Sequence, residues 1–300
     1  MQAALKRATG FLGIGLTLVC IGFVLWRLTA LIPQLRQHIE WRYLLAGIAS
    51  ATAIYSIGCI GLALAWGILL RALGSRMVNL KAAAYGHLRA QTAKYLPGNF
   101  LHFAVRHASA RKDGLAHDKL AYSAIAESMV LVIVASVLSS GISSKFLPTS
   151  IRWFIEWRWL LVAALVLVAV LGFNRLRAHR PEGVSLHRST MSSIVVLVAV
   201  GACYLWFFLA ASLAFQTTQG AIALPIVEVV PIVAICWLGG FLVVGAPGGL
   251  GVREALFLGI LGPLIGEVPA LVSALTFRVA TTLGDVVMSL IGMWLGKRSA

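Results

Sequence analysis

Long apolar segments, separated by short loops rich in Lys and Arg, make up most of the chain. Several of these segments hold about eighteen or more residues with almost no charge, enough to cross roughly 30 Å of hydrocarbon as a helix. They occupy about residues 10–32, 44–70, 120–143, 158–173, 192–215 and 269–296, and a further one begins near Pro225. The pattern predicts an all-α, polytopic integral membrane helix bundle with about seven long transmembrane helices.

Two breaks interrupt this pattern, and we place them in residues 82–112 and 226–264. The first surrounds the turn Leu96-Pro97-Gly98-Asn99, and the second contains four glycines and one proline between Gly245 and Glu254. Proline removes a backbone donor and glycine allows conformations that other residues avoid, so both breaks predict irregular backbone. Such backbone persists in a bilayer only where protein or a water-filled cavity satisfies it. We therefore expect one or two short or re-entrant helices, such as Ala255–Leu264, beside the long ones.

The composition fits a single transmembrane domain over residues 1–300. The chain is 60% hydrophobic and 12% charged, with a mean hydropathy of +0.91. Lys and Arg concentrate in the loops at 71–119 and 174–191, which places these loops and both termini on the cytoplasmic side. Because this topology explains the net charge of +15, we expect the membrane as partner and no nucleic acid.

Catalytic and metal-binding signals are poor. The four cysteines lie in apolar segments without paired spacing. The histidines between 102 and 117 lack carboxylates at metal-ligand spacing, except around Asp113 to Asp118, which we interpret as a solvated loop. No nucleotide-binding or hydrolase fingerprint is found in the sequence. We therefore expect no metal and no cofactor, and a transporter in preference to an enzyme.

Three polar residues follow the first break at helical spacing. Asn99, His102 and Arg106 are three and four residues apart, so they share one face of a helix. Free backbone N–H groups at the start of that helix, together with Arg106, would suit a phosphate. The alternative is an interfacial helix whose basic residues only touch lipid headgroups.

The second break brings glycines next to a charged pair. Gly248, Gly249 and Gly251 precede Arg253 and Glu254 at the start of a short helix. Glu254 gains from the helix dipole there, and Arg253 stays free to reach a ligand. The alternative is a purely structural role, in which Arg253 pairs with Glu254 and donates to loop carbonyls.

Three more charged residues lie inside apolar segments: Glu127, Arg278 and Asp285. Ionisable groups within a membrane are expensive to leave unpaired and are therefore candidates for a functional site. Arg278 and Asp285 are seven residues apart, so both should point into the bundle. A structural Arg278–Glu127 or Arg278–Asp285 bridge would explain them without any substrate.

The segment Pro247-Gly248-Gly249-Leu250-Gly251-Val252-Arg253-Glu254-Ala255 resembles the lysylphosphatidylglycerol synthase transmembrane-region family, the flippase-like membrane part of the multiple peptide resistance factor proteins and their stand-alone relatives. Further similarity comes from Lys94-Tyr95-Leu96-Pro97-Gly98-Asn99, Arg106, Glu127 and Arg278. One departure is that many members carry Gly-Glu before the first arginine, where this chain has His102-Phe103-Ala104-Val105. The departure favours a subfamily with a different headgroup.

The resemblance implies movement of an anionic lipid between leaflets of the bacterial inner membrane. That lipid would be a phospholipid or a polyprenyl-phosphate-linked sugar. Two alternatives stay open: a non-catalytic membrane partner of a glycosyltransferase or lipid-modifying enzyme, and, less favoured, a membrane lipid-sugar transferase that uses Glu127 or Glu254. A glycosyltransferase partner or a homo-oligomer fits the first of these.

Overall fold

The computed structural model describes residues 41–72, 80–95, 101–112, 117–142, 186–243 and 246–298, with scattered helical positions in 19–29 and 160–171. Every regular element in these residues is a helix. The helices predicted at 10–32 and 158–173 lie almost entirely outside the described residues, as does the turn at 96–100. The all-helical prediction is therefore confirmed, whereas the number of seven long helices stays a prediction.

Eight α-helices follow one another in the described part of the chain. They are α1 Trp41–Ala72, α2 Leu80–Arg89, α3 Leu101–Lys112, α4 His117–Ser139, α5 Leu186–Gln216, α6 Ile226–Leu242, α7 Val252–Ile265 and α8 Glu267–Arg298. Short 3₁₀ helices occupy Gln91–Tyr95, Gly220–Ile222 and Pro247–Gly249.

In the part of the chain that the structure describes, five helical segments are long and apolar enough to cross a membrane, as expected for a multi-pass membrane protein. They are Arg42–Ala72, Leu120–Ser139, Ile194–Gln216, Pro247–Ile265 and Glu267–Gly296. One of them differs from the expectation, because a short or re-entrant helix is predicted at Ala255–Leu264. It begins earlier, at Val252, and forms a 19-residue apolar segment together with the preceding 3₁₀ helix.

Small residues allow the long helices to approach closely. A Cβ atom built on Gly58 would lie 2.8 Å from the Ala210 side chain, and one on Gly61 would lie 2.7 Å from Trp206. The indole N–H of Trp206 donates back across this contact to the carbonyl of Ile57 at 3.2 Å. Close contact through glycine is typical of helix pairs in membranes, where packing replaces the hydrophobic effect as the driving force. It holds α1 against α5.

The first break is anchored on α8. The hydroxyl of Ser289 donates to the carbonyl of Arg89 at 2.8 Å, and Thr92 lies within hydrogen-bond distance of Ser289 at 3.2 Å. Gly292 lets the α2 backbone approach, since a Cβ there would lie 2.7 Å from the backbone nitrogen of Arg89. The 3₁₀ helix Gln91–Tyr95 is thereby fixed beside α8, and its last two side chains point into the bundle.

Candidate functional site

The glycine motif forms a tight, irregular connection between α6 and α7. Gly248, Gly249 and Gly251 have φ angles of 57°, 73° and 79°, in the left-handed region that other residues avoid. Two of these glycines also border charged side chains, because a Cβ on Gly249 would lie 2.7 Å from the Arg253 side chain and one on Gly248 would lie 3.6 Å from Arg278. The expected irregular backbone is present, and it brings two guanidinium groups close to the main chain.

Arg253 lies between two glycines and against an aromatic ring. Its guanidinium carbon is 3.7 Å from the centre of the Trp237 ring, a short cation–π contact. Gly240 on α6 and Gly249 in the motif both leave space for the side chain. Its Nε is buried without a hydrogen-bond partner, and no carboxylate of the described residues lies within ion-pair distance of it. Arg253 therefore has guanidinium donors that are not neutralised by a protein anion.

Glu254 closes the start of α7 and holds Arg278. One carboxylate oxygen accepts from the backbone N–H of Gly251 at 2.6 Å, the half of a capping box that protects the helix start. The other oxygen is 3.5 Å from Nε of Arg278. Arg278 also donates to the carbonyl of Gly248 at 2.9 Å. The predicted pairing with a loop carbonyl exists, but Arg278 makes it instead of Arg253.

Asp285 is fully buried and accepts contacts from three side chains. The hydroxyl groups of Tyr55 and Tyr95 donate to its two oxygens at 3.1 and 2.5 Å. Lys94 forms an ion pair with the same carboxylate at 2.7 Å. A buried carboxylate with a cation and two hydroxyl donors is well satisfied. The alternative Arg278–Asp285 bridge is therefore not formed.

Tyr95 joins the Asp285 cluster to the glycine motif. Its hydroxyl contacts Asp285, its ring lies 5.4 Å from the Arg278 guanidinium, and a Cβ on Gly248 would lie 3.0 Å from the same ring. Burial, followed by the negative charge of Asp285, raises the pKa of the Tyr95 phenol well above its usual value, so the group stays a hydrogen-bond donor. The first and second breaks therefore meet at one side chain.

A second group of contacts surrounds Arg106, which is 3% exposed. Its two terminal nitrogens lie 2.9 and 2.8 Å from the two carboxylate oxygens of Glu127, in a bidentate ion pair. It also lies 2.6 Å from Nδ1 of His87 and stacks near the rings of Trp66 and Phe103. Arg106 is thus already neutralised by the protein.

His87 accepts the hydrogen bond from Arg106. Burial and the charge of Arg106 lower the pKa of His87 well below its usual value, which keeps the ring neutral and its Nδ1 free to accept. The predicted alternative, an Arg278–Glu127 bridge, is not formed because Glu127 pairs with Arg106. The half-buried His102, predicted on the same face as Arg106, packs against Phe103, with the ring centres 4.0 Å apart and the rings tilted by 40°. Asn99 lies outside the described residues.

The central cluster carries an excess positive charge. Among the described residues, three cationic side chains meet two carboxylates there, which leaves an excess of one positive charge. The cluster consists of Lys94, Arg253, Glu254, Arg278 and Asp285. Lys94 and Tyr95 belong to the motif that suggested the resemblance, yet neither was predicted to be a site residue. Tyr55 and Trp237 carry no signal in the sequence, because an aromatic residue in an apolar helix is usually only packing.

No protein-family model matches the chain, and no curated protein matches it in sequence. The resemblance at the glycine motif therefore stays a prediction.

Proposed function

We propose that the protein is a lipid translocase of the bacterial inner membrane that moves an anionic lipid, a phospholipid or a polyprenyl-phosphate-linked sugar, between leaflets. The observation that carries the proposal is that Arg253 has no carboxylate partner among the described residues. Arg106 and Arg278 each have a carboxylate partner, whereas Arg253 has none within ion-pair distance in the described part of the chain. We place the lipid phosphate at Arg253.

The surroundings of Arg253 support this placement. A guanidinium presents a planar fork of donors that binds two phosphate oxygens together, and stacking on Trp237 fixes the plane of that fork. Gly248 and Gly249 lack side chains that would keep a headgroup from the main chain. The excess positive charge of the cluster favours an anion, and the buried pairs of Arg278 and Lys94 keep the remaining charges in place.

The test is leaflet exchange in reconstituted vesicles. The protein is placed in proteoliposomes with a fluorescent phosphatidylglycerol, and dithionite reduces only the outer-leaflet fluorophore. Arg253→Gln should slow exchange by about tenfold or more, because a charge-assisted hydrogen bond contributes about 1.5–3 kcal/mol and 1.4 kcal/mol corresponds to a factor of ten. Arg253→Lys should retain part of the rate, since it keeps the charge and loses the fork.

Arg42→Gln is the matched control, because Arg42 is an exposed arginine at the start of α1. It should exchange lipid at the wild-type rate. Equal exchange rates for Arg253→Gln and Arg42→Gln would remove Arg253 from the site. If the wild-type protein exchanged neither a phospholipid nor a polyprenyl-phosphate-linked sugar, the proposed function would be overturned.

A further inference from the structure

A groove of about 490 Å³ lies between α3 and α4, away from Arg253 and the glycine motif. Its walls are mostly apolar and include Phe103, Ala104 and Ala108 from α3 and Leu120, Ala121 and Ala124 from α4. Trp66 of α1 forms part of the lining, beside the buried Arg106. The groove is therefore an apolar recess that few charged side chains line.

The groove crosses the start of an apolar segment. The membrane-crossing part of α4 begins at Leu120, and His117 lies one turn before it. Ala121 and Ala124 lie in the first turns of that segment. On the other wall, α3 is a short helix with several basic residues and lies next to α4. In a membrane, one end of the groove would thus lie at headgroup level and the other end among the acyl chains.

Basic groups surround the headgroup end. His107 and His117 are hydrogen-bonded through their ring nitrogens at 2.7 Å and stacked at 4.9 Å, and Arg111 also lines the groove. Burial, and then the neighbouring His117 and Arg111, lower the pKa of His107, so its ring stays neutral and can offer hydrogen bonds, while Arg111 carries the positive charge at this end. Asp118 is the adjacent carboxylate, and it is exposed and does not line the groove. This end therefore complements an anion.

We propose that this groove binds one anionic phospholipid, with its phosphate at His107, His117 and Arg111 and one acyl chain against Phe103, Leu120 and Ala121. Basic pockets between membrane helices are a known way to hold anionic headgroups. The apolar walls alone would accept any lipid, so the basic end provides the selection. The site is separate from Arg253, and it stands whether or not the protein moves lipids.

The test is lipid binding followed by native mass spectrometry, with dioleoyl phosphatidylglycerol and dioleoyl phosphatidylcholine added to the detergent-purified protein. The wild-type protein should bind one phosphatidylglycerol about fivefold or more tightly than phosphatidylcholine, since each basic residue near a membrane surface contributes about a factor of five to anionic lipid binding. Arg111→Gln should lose most of this preference.

A tryptophan placed in the groove should block the site. Ala121→Trp fills the recess and should abolish tight binding, whereas Ala202→Trp, at an exposed position on α5, should bind as the wild-type protein does. Ala108→Leu is a smaller filling variant on the opposite wall, and melting curves show which variants fold. Equal wild-type affinity for both lipids, or equal binding by folded Ala121→Trp, Ala108→Leu and Ala202→Trp, would overturn the proposal.

Arg253→Gln separates the two sites. It should retain the binding that Ala121→Trp removes, because Arg253 does not line the groove. If Arg253→Gln removes that binding instead, the tightly bound lipid belongs to the central cluster and the groove proposal fails.

Discussion

Tyr95 donates a 2.5 Å hydrogen bond to Asp285, and its ring lies so close to Gly248 that a Cβ atom there would be 3.0 Å from it. The two residues are 190 positions apart in the chain. The phenol is one of several contacts that attach the first break to the last helix, and it can be removed without removing the ring.

Tyr95→Phe should lower the free energy of unfolding by about 1–3 kcal/mol, since it deletes a buried hydrogen bond to a charged group and keeps the packing. SDS-induced unfolding in mixed micelles measures this. Tyr43→Phe is the control, because Tyr43 is 75% exposed on α1. Equal stability of the two variants would mean that the Tyr95–Asp285 bond contributes nothing.

The contributions of Lys94 and Asp285 to the free energy of unfolding should depend on each other. Lys94→Met leaves a fully buried carboxylate without its cation, which typically costs about 3–5 kcal/mol. The double variant Lys94→Met with Asp285→Asn should recover a large part of that loss, because no uncompensated charge then stays buried. A double-mutant cycle on the unfolding free energies gives the coupling, and purely additive losses would contradict the buried ion pair.

Gly248→Ala should destabilise the motif. The residue has a φ of 57°, and a Cβ would lie 3.0 Å from the Tyr95 ring, so strain and crowding combine to a cost of about 1–3 kcal/mol. Gly259→Ala in α7 is the matched control, because nothing lies within 4 Å of its Cβ position and alanine favours a helix. Thermal melting of the two variants in detergent should show a drop for the first only.

Acid should destabilise the protein through His87. The folded-state pKa is lowered, so the stabilising effect of a neutral His87 is complete above the ordinary histidine pKa and is lost as pH falls below it. Between pH 7.5 and 5.5 the loss should be about 1 kcal/mol, since one pKa unit corresponds to 1.36 kcal/mol.

His87→Gln keeps a hydrogen-bond acceptor for Arg106 but does not titrate. Unfolding curves at both pH values should therefore show a smaller pH dependence for the variant. The other histidines are the same in both proteins, so the difference isolates His87. An unchanged pH dependence would show that His87 is not held neutral by its surroundings.

The sequence predicted the helices well because lipid requires long apolar runs: the bounds of α1, α4 and α8 lie within four residues of the expectation, and α5 begins six residues earlier than expected. It also located the second break, since few residues other than glycine adopt three positive φ angles within four positions. Both results follow from local chemistry, which a single segment of chain already contains.

The ion pairs were harder to predict because a partner depends on how distant helices pack. The structural alternative paired Arg278 with Glu127 or Asp285, but Arg278 lies instead beside Glu254, in the first turn of α7. Glu127 instead meets Arg106, and Asp285 meets Lys94. Helical spacing correctly indicated that Asp285 points inward, but it gives no information about which cation arrives from another helix.

Gly240 shows how one side chain constrains another across the α6–α7 connection. It lies in a regular helix, where alanine would normally be preferred, yet a Cβ there would be 2.6 Å from the Arg253 side chain. Glycine is therefore required at position 240 because the Arg253 side chain occupies the volume that a larger residue would need. The two positions should vary together in evolution, with larger residues admitted at 240 only where the arginine has been lost.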